Sequence, residues 1–200
     1  MKKVFITVAT VLSLTLCNAQ TAAEMMAEIK DKYTLDDNGN VTYTKVVDAP
    51  GIKKEEIYNR AQSYFVYNYV DGKSVIQTQD KETGLLVAKG WYNDVHVGFG
   101  LITTYVDCAH VVRVDVRDEK ARIVITLLDY EKTLTGGNTP PTIINIPVNK
   151  QYPIYNGGGQ KTVMTKAFYK SHMKALETIS KIEKAILEGN TSKAIENGGW

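Results

Sequence analysis

From residue 102 to residue 116 the even positions run Ile102, Thr104, Val106, Cys108, His110, Val112, Val114 and Val116. They are mostly apolar, while the odd positions between them are mixed. A period of two predicts a strand whose alternate side chains share one face, here from about Leu101 to Arg117. A second strand, about Ala121 to Tyr130, follows after a tight join at Asp118-Glu119-Lys120. Upstream, "VIQTQDKETGLLVAKGWY" (residues 75–92) predicts a hairpin with Lys81 to Gly84 as its turn. Val41 to Val47 predicts another strand, broken by Pro50-Gly51. Helical spacing appears three times. Ala22, Met25, Met26 and Ile29 predict a short helix ending near Lys32. Ile57, Ala61, Tyr64, Phe65 and Asn68 share a face of a helix from Lys53 to Val70, ended by Asp71-Gly72. Met164, Phe168, His172, Ala175, Ile179, Ile182 and Ile186 form a stripe along a helix from Thr162 to Glu188, and the sheet is the apolar surface available to cover it.

The order strand, helix, hairpin, hairpin, helix predicts an α+β fold: an antiparallel sheet with two long helices packed on one face. Residues 20–40 form an N-terminal segment with its short helix, residues 41–188 a single domain, and residues 189–200, ending in Trp200, a flexible tail. Between Glu131 and Lys161, Pro140-Pro141, Pro147, Pro153 and Gly157-Gly158-Gly159 predict a long connection without regular structure.

The segments "VVDAPGIKKEEIYNRAQSYF", "VIQTQDKETGLLVAKG" and "VRVDVRDEKARIVIT" resemble an exported Bacteroidetes domain of unknown function, one described as having a TATA-binding-protein-like (TBP-like) fold. The resemblance covers about residues 41 to 130 closely. It rests on the proline-glycine pair before the helix, the acidic-glycine hairpin turn and the Asp-x-x-x-Arg strand turn (Asp118, Arg122). It implies fold and export, and no catalytic residues. It does not bring DNA binding with it, because a fold does not carry a function across.

The ends of the chain set the compartment. Lys2 and Lys3 precede an apolar run from Val4 to Leu16, and Cys17-Asn18-Ala19 offers small residues for cleavage. Residues 1–19 therefore read as a signal peptide cut between Ala19 and Gln20, and the protein as exported to the periplasm or cell surface. A lipoprotein signal would want a small residue where Leu16 precedes Cys17. The run is shorter than the roughly 20 residues a membrane span needs, so no spanning segment is expected. Cleavage removes Lys2 and Lys3 from 24 basic residues and nothing from 22 acidic ones, which leaves a formally neutral chain. Neutrality argues against a nucleic-acid partner. Cys108 then remains without an intramolecular disulfide partner, so packing alone must hold the fold.

Candidate chemistry is sparse. Cys108 and His110 fall on one face of one predicted strand, which suits a thiolate with a base or two ligands of a metal. Only His96 and His172 are left to complete such a set, and a buried small cysteine beside a core histidine is the preferred reading. His172 on the apolar stripe is either a packing residue or a group facing a cavity. "GGGQKT" (Gly157 to Thr162) precedes a helix but departs from a phosphate-binding loop at Tyr155 and Gln160, and reads as a connector. Asp36, Asn38 and Asn40 alternate as in a calcium loop, but Val41 and Val47 stand where glycine and glutamate are needed. Lys166, Lys170 and Lys174 make a basic ridge, interrupted by Glu177 and Glu183, that reads as a solvated face. Tyr58, Tyr64, Phe65, Tyr67 and Tyr69 exceed what one buried stripe uses, so Tyr67 and Tyr69 are candidates for a sugar or protein surface. No residue is nominated as catalytic, cofactor-binding or metal-binding. The function expected is a non-catalytic binding or accessory module with a protein or glycan partner. The alternatives are a hydrolase or transferase using His110 or His172, and an envelope protein that oligomerises through sheet edges.

Overall fold

The computed structural model describes residues 20–68, 75–137, 140–157 and 159–189. The expected signal segment with Cys17 and Ala19, the expected turn Asp71-Gly72, Tyr69 and residues 190–200 with Trp200 lie outside them. Helix α1 (Ala22–Ile29) is followed by β1 (Thr34–Leu35), β2 (Val41–Asp48), α2 (Lys54–Asn68), β3 (Val75–Asp80) and β4 (Leu85–Gly98). Then come β5 (Thr103–Arg117), β6 (Lys120–Thr135), β7 (Thr142–Pro147), a 3-10 turn (Val148–Lys150) and α3 (Lys161–Glu188). The strands form one antiparallel sheet in the order β1-β2-β6-β5-β4-β3, with β7 also on β6. Strand β6 is long enough to take β2 along residues 120–126 and β7 along residues 129–134 of the same edge.

Both long helices pack on one face of the sheet, as the pattern predicts. Val106, Cys108, His110, Val112, Val114 and Val116 are buried against them, together with Ile123, Ile125 and Leu127 of β6. All seven residues of the α3 stripe are buried. Two positions depart from the pattern: Ile102 is exposed, since β5 starts at Thr103, and Asn68 is exposed and donates to the Tyr64 carbonyl at 3.0 Å. Tyr58 takes a core place on α2 instead.

The structure corrects the expectation for residues 131–161. Strand β6 runs on to Thr135, and Thr142–Pro147 forms β7. A register shift in β6 opposite Cys108–His110 explains the first error. It puts both Leu127 and Tyr130 on the buried face, so the alternation that marks a strand is broken there. Strand β7 was hidden because most of its residues are exposed on both faces, leaving no alternation to read. Similarly, β4 continues past Tyr92 through an irregularity at Asn93 to Val95, where Asp94 has φ +52°.

The three motifs behind the family resemblance meet at one corner. The Asp118 carboxylate accepts the Lys54 N–H at 2.8 Å and so caps α2. Glu119 accepts from Ala49 through its carbonyl at 2.8 Å and from the Gly51 N–H through its carboxylate at 2.9 Å, and it donates to the Ile52 carbonyl. Gly84 accepts from Val116 N at 2.8 Å, and a Cβ there would stand 2.4 Å from the Val116 oxygen. Asp118 and Arg122 do not pair with each other. Arg122 binds Asp115 at 2.9 Å, which Arg113 also holds at 2.7 Å. These motifs therefore lock turns to a helix start.

Candidate functional site

The groups that could carry chemistry lie in the layer between the sheet and α3. Strand β5 places Cys108 and His110 on its helix side, and both are buried. Burial pushes the Cys108 thiol up to about 12, with Ser171 easing the shift and Asp129 and Asp107 adding to it. Burial likewise pushes the His110 imidazole down to about 4. His110 stacks on Tyr92, ring centroids 3.7 Å apart. The Tyr92 hydroxyl donates to Thr178 Oγ1 at 3.1 Å, tying β4 to α3.

His172 projects from α3 into the same layer, where its Nδ1 lies 3.2 Å from the Tyr43 hydroxyl. Burial, then the charge of Lys32, lowers its pKa, with Glu28 acting the other way. Tyr43 is in turn held neutral by burial. Nearby, Ser171 gives its proton to the Ala167 carbonyl at 2.8 Å. A thiol, a phenol and two imidazoles thus sit close together, each in its neutral form at neutral pH, beneath a helix. The arrangement brings Cys108, His110 and His172 into one buried layer and leaves His96 partly exposed near the far end of β4.

An open groove lies at the edge of β2. Among the described residues, β1 pairs only with Val41 and Thr42, so Tyr43 to Asp48 have β6 on one side and no strand on the other. A groove of about 340 Å³ follows this edge, lined by Tyr33, Thr34, Tyr43, Thr44, Lys45 and Leu176 among others. Lys45 reaches Glu183 of α3 at 3.4 Å. Tyr43 joins this groove to His172, since it lines the first and bonds the second. Sequence reasoning missed the groove; Leu176, apolar and off the buried stripe of α3, lines it, but nothing in the sequence ties Leu176 to β2.

The remaining motifs are occupied locally. The Asp36 carboxylate accepts from the Asn40 and Asn38 amides at 2.8 and 2.9 Å, and these bonds hold its pKa low, so it serves a turn. Gln160, in the left-handed region at φ +55°, accepts from Lys132 at 2.5 Å, and Lys161 donates to Asn156 at 2.8 Å. Tyr64 and Phe65 pack edge to face at 5.6 Å in the core, whereas Tyr67 is exposed. On the sheet face opposite the helices, burial works against ionisation of Asp115, but hydrogen bonds from Arg113 and Arg122 prevail and lower its pKa.

With this geometry in place, comparison with known proteins is informative about fold. The sequence profile of a family described as a domain of unknown function (DUF4468) with TBP-like fold matches residues 43–131. Over those residues the chain is similar to this family. A crystal structure of a TBP-like protein from Parabacteroides distasonis is similar at TM-score 0.52 and 15% identity, covering 76% of this chain and 95% of that one. A DUF4468 family protein from Bacteroides ovatus is similar at TM-score 0.49 and 15% identity, covering 78% and 91%. No curated protein matches. At such identities the first likeness speaks to the fold alone, and the fold here is α+β with one antiparallel sheet, as expected. The match ends at Glu131, so β7 and α3 lie outside the profile.

Proposed function

We propose that the protein is a non-catalytic exported binding or accessory module that holds an extended segment of a protein partner along the free edge of β2. The groove at that edge carries the reading. It combines the strand-free edge of β2 at Tyr43 to Lys45 with an apolar wall from Leu176 and Ile179 and hydroxyls from Tyr33, Thr34 and Thr44. Strand addition uses such parts: main-chain hydrogen bonds supply affinity and flanking pockets supply selectivity. Export is supported by Lys2, Lys3 and the apolar run to Leu16. Among the described residues, no helix is long and apolar enough to cross a membrane.

An enzyme built on His110 or His172 would require substrate to enter a layer that α3 covers. The edge-oligomer reading has one observation in its favour: β7 is an outer strand without a charged residue, and its Ile143 and Ile144 are exposed. Native mass spectrometry of the protein from its own host separates the three. A co-purifying protein that Leu176→Asp releases supports the groove reading. Homo-oligomers that survive Leu176→Asp and dissociate with Ile143→Lys support the edge reading. A bound small molecule lost with His172→Ala, and a glycan held at Tyr67, would each contradict the groove.

A further inference from the structure

The end of the sheet opposite the locked corner carries an apolar projection. The β4–β5 connection, Phe99-Gly100-Leu101-Ile102, exposes Phe99 at 85%, Leu101 at 100% and Ile102 at 59%. Such side chains cost free energy in water when they stand together, and a monomer rarely presents them at a loop tip without a use. The tip is braced: a Cβ on Gly136, just past β6, would fall 2.7 Å from the Leu101 carbonyl oxygen and 3.2 Å from Ile102 Cα. Tyr105 continues the apolar surface, and its row runs across Thr133 of β6 to exposed Ile143 of β7.

The charge around this end is of one sign. Residues 95–106 contain no acidic residue, and residues 132–176 contain none either while carrying Lys132, Lys150, Lys161, Lys166, Lys170 and Lys174. Helix α3 brings two of them to the hairpin. Lys170 donates to the Asp94 carbonyl at 2.9 Å, and both Lys166 and Lys170 lie close enough to His96 to add to the lowering of its pKa by burial. His96 adjoins the tip, for its Nε2 would be 3.1 Å from a Cβ on Gly98, the residue before Phe99. The nearest acids, Asp94, Asp107 and Glu131, sit further from the tip along the strands, Asp94 at the level of Lys170, and the Asp107 carboxylate accepts the Asp94 N–H at 2.7 Å.

We propose that Phe99, Leu101 and Ile102 insert into the interfacial layer of a membrane bearing anionic headgroups, with Lys166 and Lys170 supplying the electrostatic half of the contact. An apolar wedge flanked by lysines is the chemistry that interfacial binding uses, each half being too weak alone for stable attachment. A protein partner would need acids matched to particular lysines, whereas a lipid surface needs only their sum. The contact leaves the β2 groove free, because β2 lies along residues 120–126 of β6 and the tip beside Thr135 and Gly136, at the other end of that strand.

The test uses the secreted protein without residues 1–19, whose apolar run would itself bind lipid. Co-sedimentation is measured with phosphatidylcholine vesicles, with and without phosphatidylglycerol. Binding is expected only with the anionic lipid, falling about tenfold or more in Phe99→Ser/Leu101→Ser and in Lys166→Glu/Lys170→Glu, and weakening with salt. Phe99→Trp reads the same contact directly, its emission shifting to the blue on anionic vesicles above the background of Trp91 and Trp200. Thermal midpoints should not move for the tip variants, because the replaced side chains are exposed. Three results would overturn the proposal: no binding to either vesicle, binding indifferent to the tip, or a lipid-free dimer that the Phe99→Ser/Leu101→Ser variant dissolves.

Discussion

The carboxylate of Asp118 accepts the backbone N–H of Lys54 at 2.8 Å, so the turn between β5 and β6 caps a helix 64 positions earlier in the chain. A helix start leaves its first N–H groups without partners inside the helix, and here one is satisfied by tertiary contact. Asp118→Ala should cost about 1 kcal/mol, and Asp118→Asn much less, by denaturant unfolding. Equal losses in both would mean that charge, and not the acceptor oxygen, does the capping.

Gly84 is the second fixed point of that corner. Its φ of +79° already disfavours a side chain, and a Cβ there would come within 2.4 Å of the Val116 oxygen, which leaves no room for one. Gly84→Ala should destabilise by roughly 1–3 kcal/mol, with the loss seen as faster amide exchange at Val116. Wild-type exchange at that amide would contradict the assignment.

Much of this fold was legible because it repeats. The even positions from Val106 to Val116 and the α3 stripe each report one buried face, and both are buried as predicted. What failed to show were features without a period. The shift at Leu128–Asp129 stops the alternation of β6, Asp94 does the same to β4, and exposed β7 never had one. The β2 groove could not be read at all, since it depends on Leu176 of α3 and Tyr43 of β2 lining one surface from opposite ends of the domain's sequence.

Acid should weaken the protein early. The folded His110 value, about 4, lies below the ordinary value near 6.5, so the unfolded chain takes up the proton first. The stability tied to keeping His110 neutral is complete above about pH 6.5 and is lost as pH falls toward 4, by roughly 3 kcal/mol. His172 acts in the same direction. Asp36, held down by the Asn40 amide, and Asp80, held down by that of Thr83, come into play at lower pH. Denaturant unfolding at pH 7 and pH 4 should show the drop, and His110→Phe, which keeps an aromatic ring against Tyr92, should reduce it. A drop of the same size in that variant would contradict the assignment.

The export reading predicts a mature chain that begins at Gln20 and carries no lipid. Intact mass of the protein from its host checks this. A mass that includes a diacylated Cys17 would contradict it.

If the layer beneath α3 is packing and not a reaction site, as proposed, Cys108 is the residue that shows it. Burial both raises its thiol pKa to about 12 and blocks access. A disulfide-exchange reagent added to the native protein without residues 1–19 at neutral pH should therefore label Cys108 orders of magnitude more slowly than a free thiol, with denaturant restoring full labelling. Labelling of the native protein at the rate of an activated cysteine, slowed by His110→Phe, would contradict the claim.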